Sequence, residues 1–504
     1  MYIGYDKKNG NKYAKICKSE RDNGKVKTTQ ISLGRVIDEK NHIYQSRKRG
    51  IFTYDINTQT YSTPNPTTII PIIKRKNTQE KLILDFGDTH FTNQYLNKIG
   101  LTPAINTLKY ANQDSIKALL TYYILCNMAN YNATEWYNGN YARILYPKAN
   151  LESQRISDLL TAIGTENSYR AFFKEYTKLL THKKEDIDIL IDSTGLPNSI
   201  HFPLTAINNH NGQISNETRL IYVVQQGTNL PLYFRYVAGN IIDVSTLTKT
   251  LLELKALGIN TKFAILDAGY LTEENIRELF DSKISFVSRL RSNWVLYKKI
   301  VASHLSTLRC EENFVCYNAR YVYIKRVECE IVSGCRGYAY LGLDMARFSL
   351  ESSKLFERAG RRDFSVADVH KKMSMQGLFV LVSTRPIARD KILPLYYMRQ
   401  QVEQVFDVCK NNVNLLPLRV QCEDTLRGHL LLAFIAAVFF RRFQGDLAGF
   451  DVTPECALLA LRNQKCKVFD GYVLTMEAAK RANDVYKRFK IKVDDLYAVD
   501  SFCN

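Results

Sequence analysis

The spacing of apolar and polar positions divides the chain into stretches of different period. Residues 1 to 62 hold short runs that alternate every second residue: "KYAKICKSE", "KVKTTQISLGRVI" and "GIFTYD". That period belongs to strands with one buried face. Turn signals such as Asn23-Gly24 separate the runs and favour hairpins. "STPNPTT", around Pro64 and Pro66, reads as a linker. From 69 to 183 the period becomes helical: "DSIKALLTYYILCNMAN" carries a broad apolar face, and "LESQRISDLLTAIG" and "SYRAFFKEYTKLL" follow. Such a region suits DNA binding or dimerisation.

Residues 184–290 change character again. "DIDILIDSTG" is a short apolar strand running to Asp192, and "RLIYVVQQ" and "LPLYFRYV" pair around Gly227-Thr228-Asn229. "DVSTLTKTLLELKALG" is an amphipathic helix, and "TKFAILDAGY" is a buried strand running to Asp267. "TEENIRELF" is a helix with a capping-box-like start, and "KISFVSRL" is a further strand. Three strands, a helix, a strand, a helix and a strand are the order of an α/β ribonuclease-H-like core. Residues 291–375 interrupt it as a β-rich insertion with a charged loop, "FERAGRRDFSVADVHKK". "GLFVLVST" resumes the core over 376–445, and 446–504 form a helical C-terminal region. The expected protein is thus a ribonuclease-H-like catalytic core with a β-rich insertion, a small N-terminal β domain and helical N- and C-terminal regions.

The apolar run Leu430 to Phe440 is about half the length a bilayer needs. It reads as a buried helix closed by Arg441 and Arg442, and no membrane partner is expected. The N-terminus lacks the apolar core of a signal peptide. Eleven scattered cysteines without a C-x-x-C pair fit a reducing cytoplasm. Cys310, Cys316, Cys329 and Cys335 stand in a C-x5-C…C-x5-C pattern, but zinc sites use tighter spacing and this segment alternates like strands.

Charge narrows the partner. The chain has 69 Lys and Arg against 50 Asp and Glu, a net +19. That excess points to a polyanion, nucleic acid before an anionic membrane surface. Lys7, Lys8, Lys12, Lys15, Lys18, Lys25, Lys27, Arg47, Lys48 and Arg49 make the N-terminal β domain a candidate DNA contact.

"LYYMRQQVEQVFDVCKNN", residues 395 to 412, reads as one helix after Pro394. At about 100° per residue Tyr396, Arg399, Glu403 and Lys410 share a stripe roughly 60° wide and roughly 21 Å long. Val402, Val405, Phe406 and Cys409 face a core. Asp192 and Asp267 each end a predicted strand, and the carboxyl edge of an α/β sheet is where ligands bind. A β-α-β crossover can make those strands neighbours, and Glu403 can add a third carboxylate. Three carboxylates can hold two Mg²⁺ ions about 4 Å apart, one for the attacking oxygen and one for the leaving oxygen. Arg399 can grip a phosphate with its fork, Lys410 can bind one as a point charge, and Tyr396 can donate to a phosphate or stack on a base.

The spacing Tyr396-x2-Arg399-x3-Glu403-x6-Lys410 resembles the Y-R-E-K signature of a large group of bacterial insertion-sequence DDE transposases. "LIDSTGLPNS" is similar to the region of that group's first Asp, and "FAILDAGY" to that of its second. "AGNIID", with Gly239, Asn240 and Asp243, resembles a stretch between them. The interval from Asp267 to Glu403 looks like the β-rich insertion of these enzymes. The resemblance covers roughly 185 to 445. It implies catalytic and metal roles for Asp192, Asp267 and Glu403, and DNA contacts by Tyr396, Arg399 and Lys410. It implies Mg²⁺ as cofactor, with Mn²⁺ as a substitute. The partners would be double-stranded DNA, as terminal inverted repeats and target, and a second copy of the chain in the end complex. The place would be the bacterial cytoplasm, at the nucleoid when DNA is bound. Relatives can use an aromatic of the insertion to hold a flipped base, and Trp294 is a candidate.

Three other readings compete. A tyrosine recombinase would use Tyr396 as nucleophile, with only Arg427 and His429 to assist, and leaves both Asp motifs unexplained. A transposase-derived DNA-binding protein would keep the carboxylates without cutting. A basic helical scaffold would need no metal.

Overall fold

The structure is a computed structural model. It describes residues 1–8, 11–22, 25–46, 49–64, 80–181, 186–198, 202–210, 213–240, 246–359, 365–413, 415, 416, 418 and 420–499. The Asn23-Gly24 turn, Arg47, Lys48, Pro66, Asp243 and part of the charged loop of the insertion lie outside the described residues. The chain divides into two compact units.

One unit comprises Met1–Tyr95, Asn132–Leu151 and Val452–Asn504. Its first six strands, from Tyr2–Lys8 to Thr60–Ser62, pair in simple sequence order as an antiparallel meander. Ala14, Ile16, Leu33, Tyr44, Phe52 and Tyr54 close one face as a small core. Lys12 lies over the Tyr5 ring and Arg49 over the Tyr61 ring, so basic side chains cover aromatic surface while keeping their charge in water. The C-terminal region, expected to be helical, also carries strands Lys465–Phe469, Tyr472–Thr475 and Leu496–Ala498. These join Glu80–Asp85 in a four-stranded sheet. Short strands of this kind are stabilised by distant partners rather than by a local period, which is why the sequence pattern hid them.

The other unit comprises Leu96–Tyr131 and Glu152–Asp451. It holds a ten-stranded sheet. Along the sheet run Pro231–Ala238, Gln213–Gln225, Ile189–Pro197, Phe263–Leu266, Ser285–Leu290, Leu378–Ser383, Cys335–Asp344, Arg320–Val332 and Phe314–Tyr317. Ala206–His210, which the sequence pattern did not reveal, pairs with Gln213–Gln225. The first three strands in chain order among those expected for the core are antiparallel, and the helices Leu247–Ala256 and Glu273–Asp281 carry the chain over to two parallel strands. Ile189, Leu190, Ile191 and all of Phe263–Leu266 are buried, as expected where both faces of a sheet are covered.

The β-rich insertion extends this same sheet. Leu378–Ser383 pairs with Ser285–Leu290 on one side and with Cys335–Asp344 on the other. The hairpin between Phe314–Tyr317 and Arg320–Val332 turns at Asn318 and Ala319, both at positive φ, the geometry of a tight two-residue turn. Cys310, Cys316, Cys329 and Cys335 do not gather, and among the described residues no set of His, Cys, Asp or Glu forms a metal-holding group.

The apolar run expected as a buried helix lies within Glu423–Asp446, where every residue from Gly428 to Arg441 is buried. The helix does not stop at Arg442. Arg441 is itself buried, and its guanidinium donates to the Asn229 carbonyl (3.3 Å) and to Gln444 Oε1 (2.6 Å), one acceptor outside the helix and one within it. Among the described residues no helix is long and apolar enough to cross a membrane. The helix lies close against Ser153–Ile163: a Cβ on Gly428 would sit 2.0 Å from the Leu160 carbonyl oxygen, and one on Gly164 would sit 1.8 Å from that of Asp424.

Those contacts set a sign test. Gly445 lies in the same helix with nothing within 4 Å of a built Cβ. Gly445→Ala should stabilise the protein by about 0.5–1 kcal/mol through helix propensity. Gly428→Ala has the same propensity gain but forces backbone apart, and should destabilise by about 1–3 kcal/mol. Thermal melts of the two variants should move in opposite directions.

Candidate active site

The register of two parallel strands builds the site. Leu266 pairs with Ile191, so the next residues, Asp267 and Asp192, stand level on neighbouring strands. Asp192 was expected at the end of its strand, but the strand runs on to Pro197 through its antiparallel partner Gln213–Gln225. The edge is therefore set by where the parallel pairing stops, not by where the strand stops.

The expected single helix over 395–412 is two helices. Arg389–Tyr397, with Pro394 inside, is followed by Gln400–Asn411. Met398 and Arg399 between them keep right-handed helical dihedrals. Their hydrogen bonds tighten from i−4 to i−3: Arg399 N donates to Tyr396 O (3.1 Å) and Val402 N to Arg399 O (3.0 Å). The stripe therefore survives in sequence but is split at Arg399. Val402, Val405, Phe406 and Cys409 are buried as expected. Phe406 stacks on Tyr222, whose hydroxyl meets Cys409 Sγ at 3.4 Å, and Tyr222 is in register with Asp192. The second helix is thus packed on the face of the sheet that carries Asp192.

Arg399 is the centre of the site. Its Nη1 lies 3.0 Å from Asp192 Oδ2 and 3.2 Å from Asp267 Oδ1, and its Nη2 lies 3.3 Å from Glu403 Oε1. All three expected carboxylates thus converge on one guanidinium. Access differs sharply: the Asp192 side chain is 12% exposed and that of Glu403 52%. Burial pushes the Asp192 carboxyl up to about 7, against the opposing pull of Arg399 and of the Ser193 backbone N–H. The neighbouring carboxylates Asp267 and Glu403 push it the same way as burial.

The remaining signature residues surround this centre. Lys410 Nζ donates to Thr194 Oγ1 at 2.7 Å. Tyr396 is buried, which raises its hydroxyl to about 12. Its neighbour Tyr397 stacks on Tyr317 of the insertion hairpin, with ring centroids 5.5 Å apart. The insertion therefore braces the helix that carries Tyr396. Trp294 is half-buried at the start of the helix Val295–His304. Gly239 and Asn240 follow the strand Pro231–Ala238 in a turn.

Sequence reasoning missed three supports. Thr194 lies two residues beyond Asp192, on the same face of the strand, and strand alternation alone could have identified it. Arg291 donates from Nε to Ala268 O (3.0 Å) and from Nη2 to Gly269 O (3.1 Å), which pins the turn after Asp267. Ser288 Oγ donates to the Asp267 carbonyl (3.3 Å). No local sequence pattern announces either of these last two contacts.

Residues 183–439, half of the chain, match the family model of the transposase DDE domain. The chain belongs to this family, whose members are transposases. No curated protein matches it. Among solved structures it is similar to the piggyBac transposase in a synaptic complex with hairpin DNA, determined by cryo-EM. That similarity has 12% identity and a TM-score of 0.41 over 75% of this chain and 76% of the other, too loose to carry an argument.

Asp192 also sets a pH dependence. Its pKa lies above the ordinary 3.8, so between about 4 and 7 the folded chain binds a proton that the unfolded chain has released. That contribution to stability is complete below pH 4 and is lost as the pH rises through 7. Asp192→Asn should therefore raise the thermal midpoint more at pH 8 than at pH 5, in buffers stripped of divalent metal. An equal effect at both values would show that the carboxyl titrates normally.

Proposed function

We propose that this protein is a DNA transposase of the insertion-sequence group with the Y-R-E-K signature, built on a ribonuclease-H-like core. It binds the terminal inverted repeats of its own element, hydrolyses the phosphodiester at each end, and joins the freed 3′-hydroxyls to target DNA. The observation that carries the reading is the convergence of Asp192, Asp267 and Glu403 on one guanidinium at the edge of the sheet. Membership of the transposase DDE domain family supports it independently.

The donor set fits a hard divalent cation, because all three side chains offer carboxylate oxygens. Asp192, Asp267 and Glu403 would hold Mg²⁺, two ions in all, with Mn²⁺ as a substitute. Bound there, the cations supply Lewis acidity to the attacking and leaving oxygens. The chain's own residues do the rest. Asp192 is fixed by the Ser193 N–H (2.8 Å) and by sheet pairing, so its carboxylate is oriented before substrate arrives. Asp267 is held by the pinned turn behind it, and Glu403 approaches from the helix, on the open side. Arg399, Lys410 and Tyr396 orient the DNA strand through its phosphates.

In the first step a water oxygen bonds to phosphorus, the 3′-oxygen leaves and takes a proton, and a 5′-phosphate remains. In the second step that 3′-oxygen attacks a target phosphodiester and loses its proton. A target 3′-oxygen is displaced and takes a proton in turn. The basic N-terminal meander, with Lys12 and Arg49 over tyrosine rings, is a second DNA contact. Two copies of the chain act together on paired ends.

A plasmid carrying the gene with its own flanking DNA tests this. Wild type should cut at the element ends only with Mg²⁺ or Mn²⁺. Glu403→Gln, which removes one negative charge at nearly constant shape, should cut at least about 10³-fold more slowly and still bind the ends. Cutting that survives loss of both metal and Glu403 would overturn the reading in favour of covalent attack. End binding without cutting in any condition would favour a transposase-derived DNA-binding protein.

A further inference from the structure

We propose that Arg399 is a built-in cation mimic, which partly neutralises the three carboxylates until DNA phosphate draws its guanidinium away and opens the cluster to divalent metal. The inference rests on the metal-site reading above and adds the regulation of that site. Three observations carry it.

The first is that Arg399 occupies the atoms a metal would need. Asp192 Oδ2 is taken by Arg399 Nη1 at 3.0 Å, and Asp192 Oδ1 accepts the Ser193 N–H at 2.8 Å. Both oxygens of the most buried carboxylate are therefore committed. The same guanidinium holds Asp267 Oδ1 and Glu403 Oε1. A cation that binds these oxygens and a guanidinium that binds them exclude each other.

The second is electrostatic. Three carboxylates drawn together at a partly buried edge repel, and the repulsion grows as the local dielectric falls. Arg399 returns one positive charge to the cluster. Among the described residues no acidic group has metal-holding geometry; here Asp192 and Asp267 meet Arg399 Nη1, and Glu403 meets Nη2. Exchange for a divalent ion replaces one charge with two and lets the oxygens close in.

The third is that Arg399 has somewhere to go. It sits at the junction between Arg389–Tyr397 and Gln400–Asn411, where the hydrogen bonds tighten to i−3 and the regular helix is interrupted. Its side chain is 22% exposed, and its neighbour Glu403 lies on the solvent side at 52%. A phosphodiester reaching that side offers a fork-matched anion. Because phosphate and metal each favour the swung-out guanidinium, each tightens the other by the same factor. The consequence is an enzyme that holds metal weakly until an end is bound, which limits nicking of DNA elsewhere.

The test reads metal binding rather than cutting. Free Mn²⁺ is followed by electron paramagnetic resonance while the full-length, metal-stripped chain is titrated, with and without a short duplex of the gene's flanking DNA. Arg399→Gln should bind Mn²⁺ at least about 5-fold tighter than wild type without DNA. The duplex should tighten the wild type by a similar factor and leave Arg399→Gln unchanged. Arg399→Lys keeps a charge without the fork and should fall between them. Equal or weaker Mn²⁺ binding by Arg399→Gln, with binding still abolished by Asp192→Asn, overturns this inference alone and leaves Arg399 a positioning residue. If Arg399→Gln loses its fold by circular dichroism, the wild type decides: affinity for Mn²⁺ that the duplex does not raise overturns the proposal. Mn²⁺ binding that ignores Asp192→Asn overturns the metal-site reading itself, and this inference with it.

Discussion

One guanidinium shared by three carboxylates is the interaction on which the larger unit turns. Burial raises the Asp192 carboxyl to about 7 even with a cation pulling the other way, so its charge depends on that cation. Arg399 supplies that cation from a different element, more than two hundred residues along the chain. The same contact joins the strand Ile189–Pro197 to the junction between Arg389–Tyr397 and Gln400–Asn411. Folding, charge balance and the placement of the acidic side chains are therefore one problem with one solution.

Around that contact the fold acts mainly as a registering device. The pairing of Leu266 with Ile191 puts two aspartates level, and a slip of one residue would turn one of them to the opposite face. The stack of Phe406 on Tyr222 fixes how far along the sheet the Glu403 helix sits. The insertion contributes strands to the same sheet and a hairpin whose Tyr317 meets Tyr397. It is a brace on the signature helix as well as an interruption of the core. The long helix Glu423–Asp446 is buried over most of its length, and two glycines let it pack close to Ser153–Ile163, within the same compact unit.

Much of this was legible in the chain because it is local. The strand period of "DILIDS" and "TKFAILD", the amphipathic helix before Asp267, and the buried face of Val402, Val405, Phe406 and Cys409 all follow from the spacing of apolar residues. The spacing of Tyr396, Arg399, Glu403 and Lys410 singled these residues out, and the structure gathers Arg399 with all three carboxylates. Less legible were features with distant partners: the strands of the C-terminal region, Ala206–His210, the continuation of the Asp192 strand to Pro197, and the break at Met398–Arg399.

The sequence by itself determined the spacing of the charged residues from 396 to 410, the apolar runs that lead to Asp192 and Asp267, and a strongly positive net charge, because composition and period are properties of neighbours in the chain. Only the tertiary structure decided that the carboxylates meet through Arg399, that Lys410 rests on Thr194, that Tyr396 is buried, and that the insertion shares the core's sheet. Those outcomes depend on strand register and on desolvation, and both arise only when segments far apart in the chain are packed together.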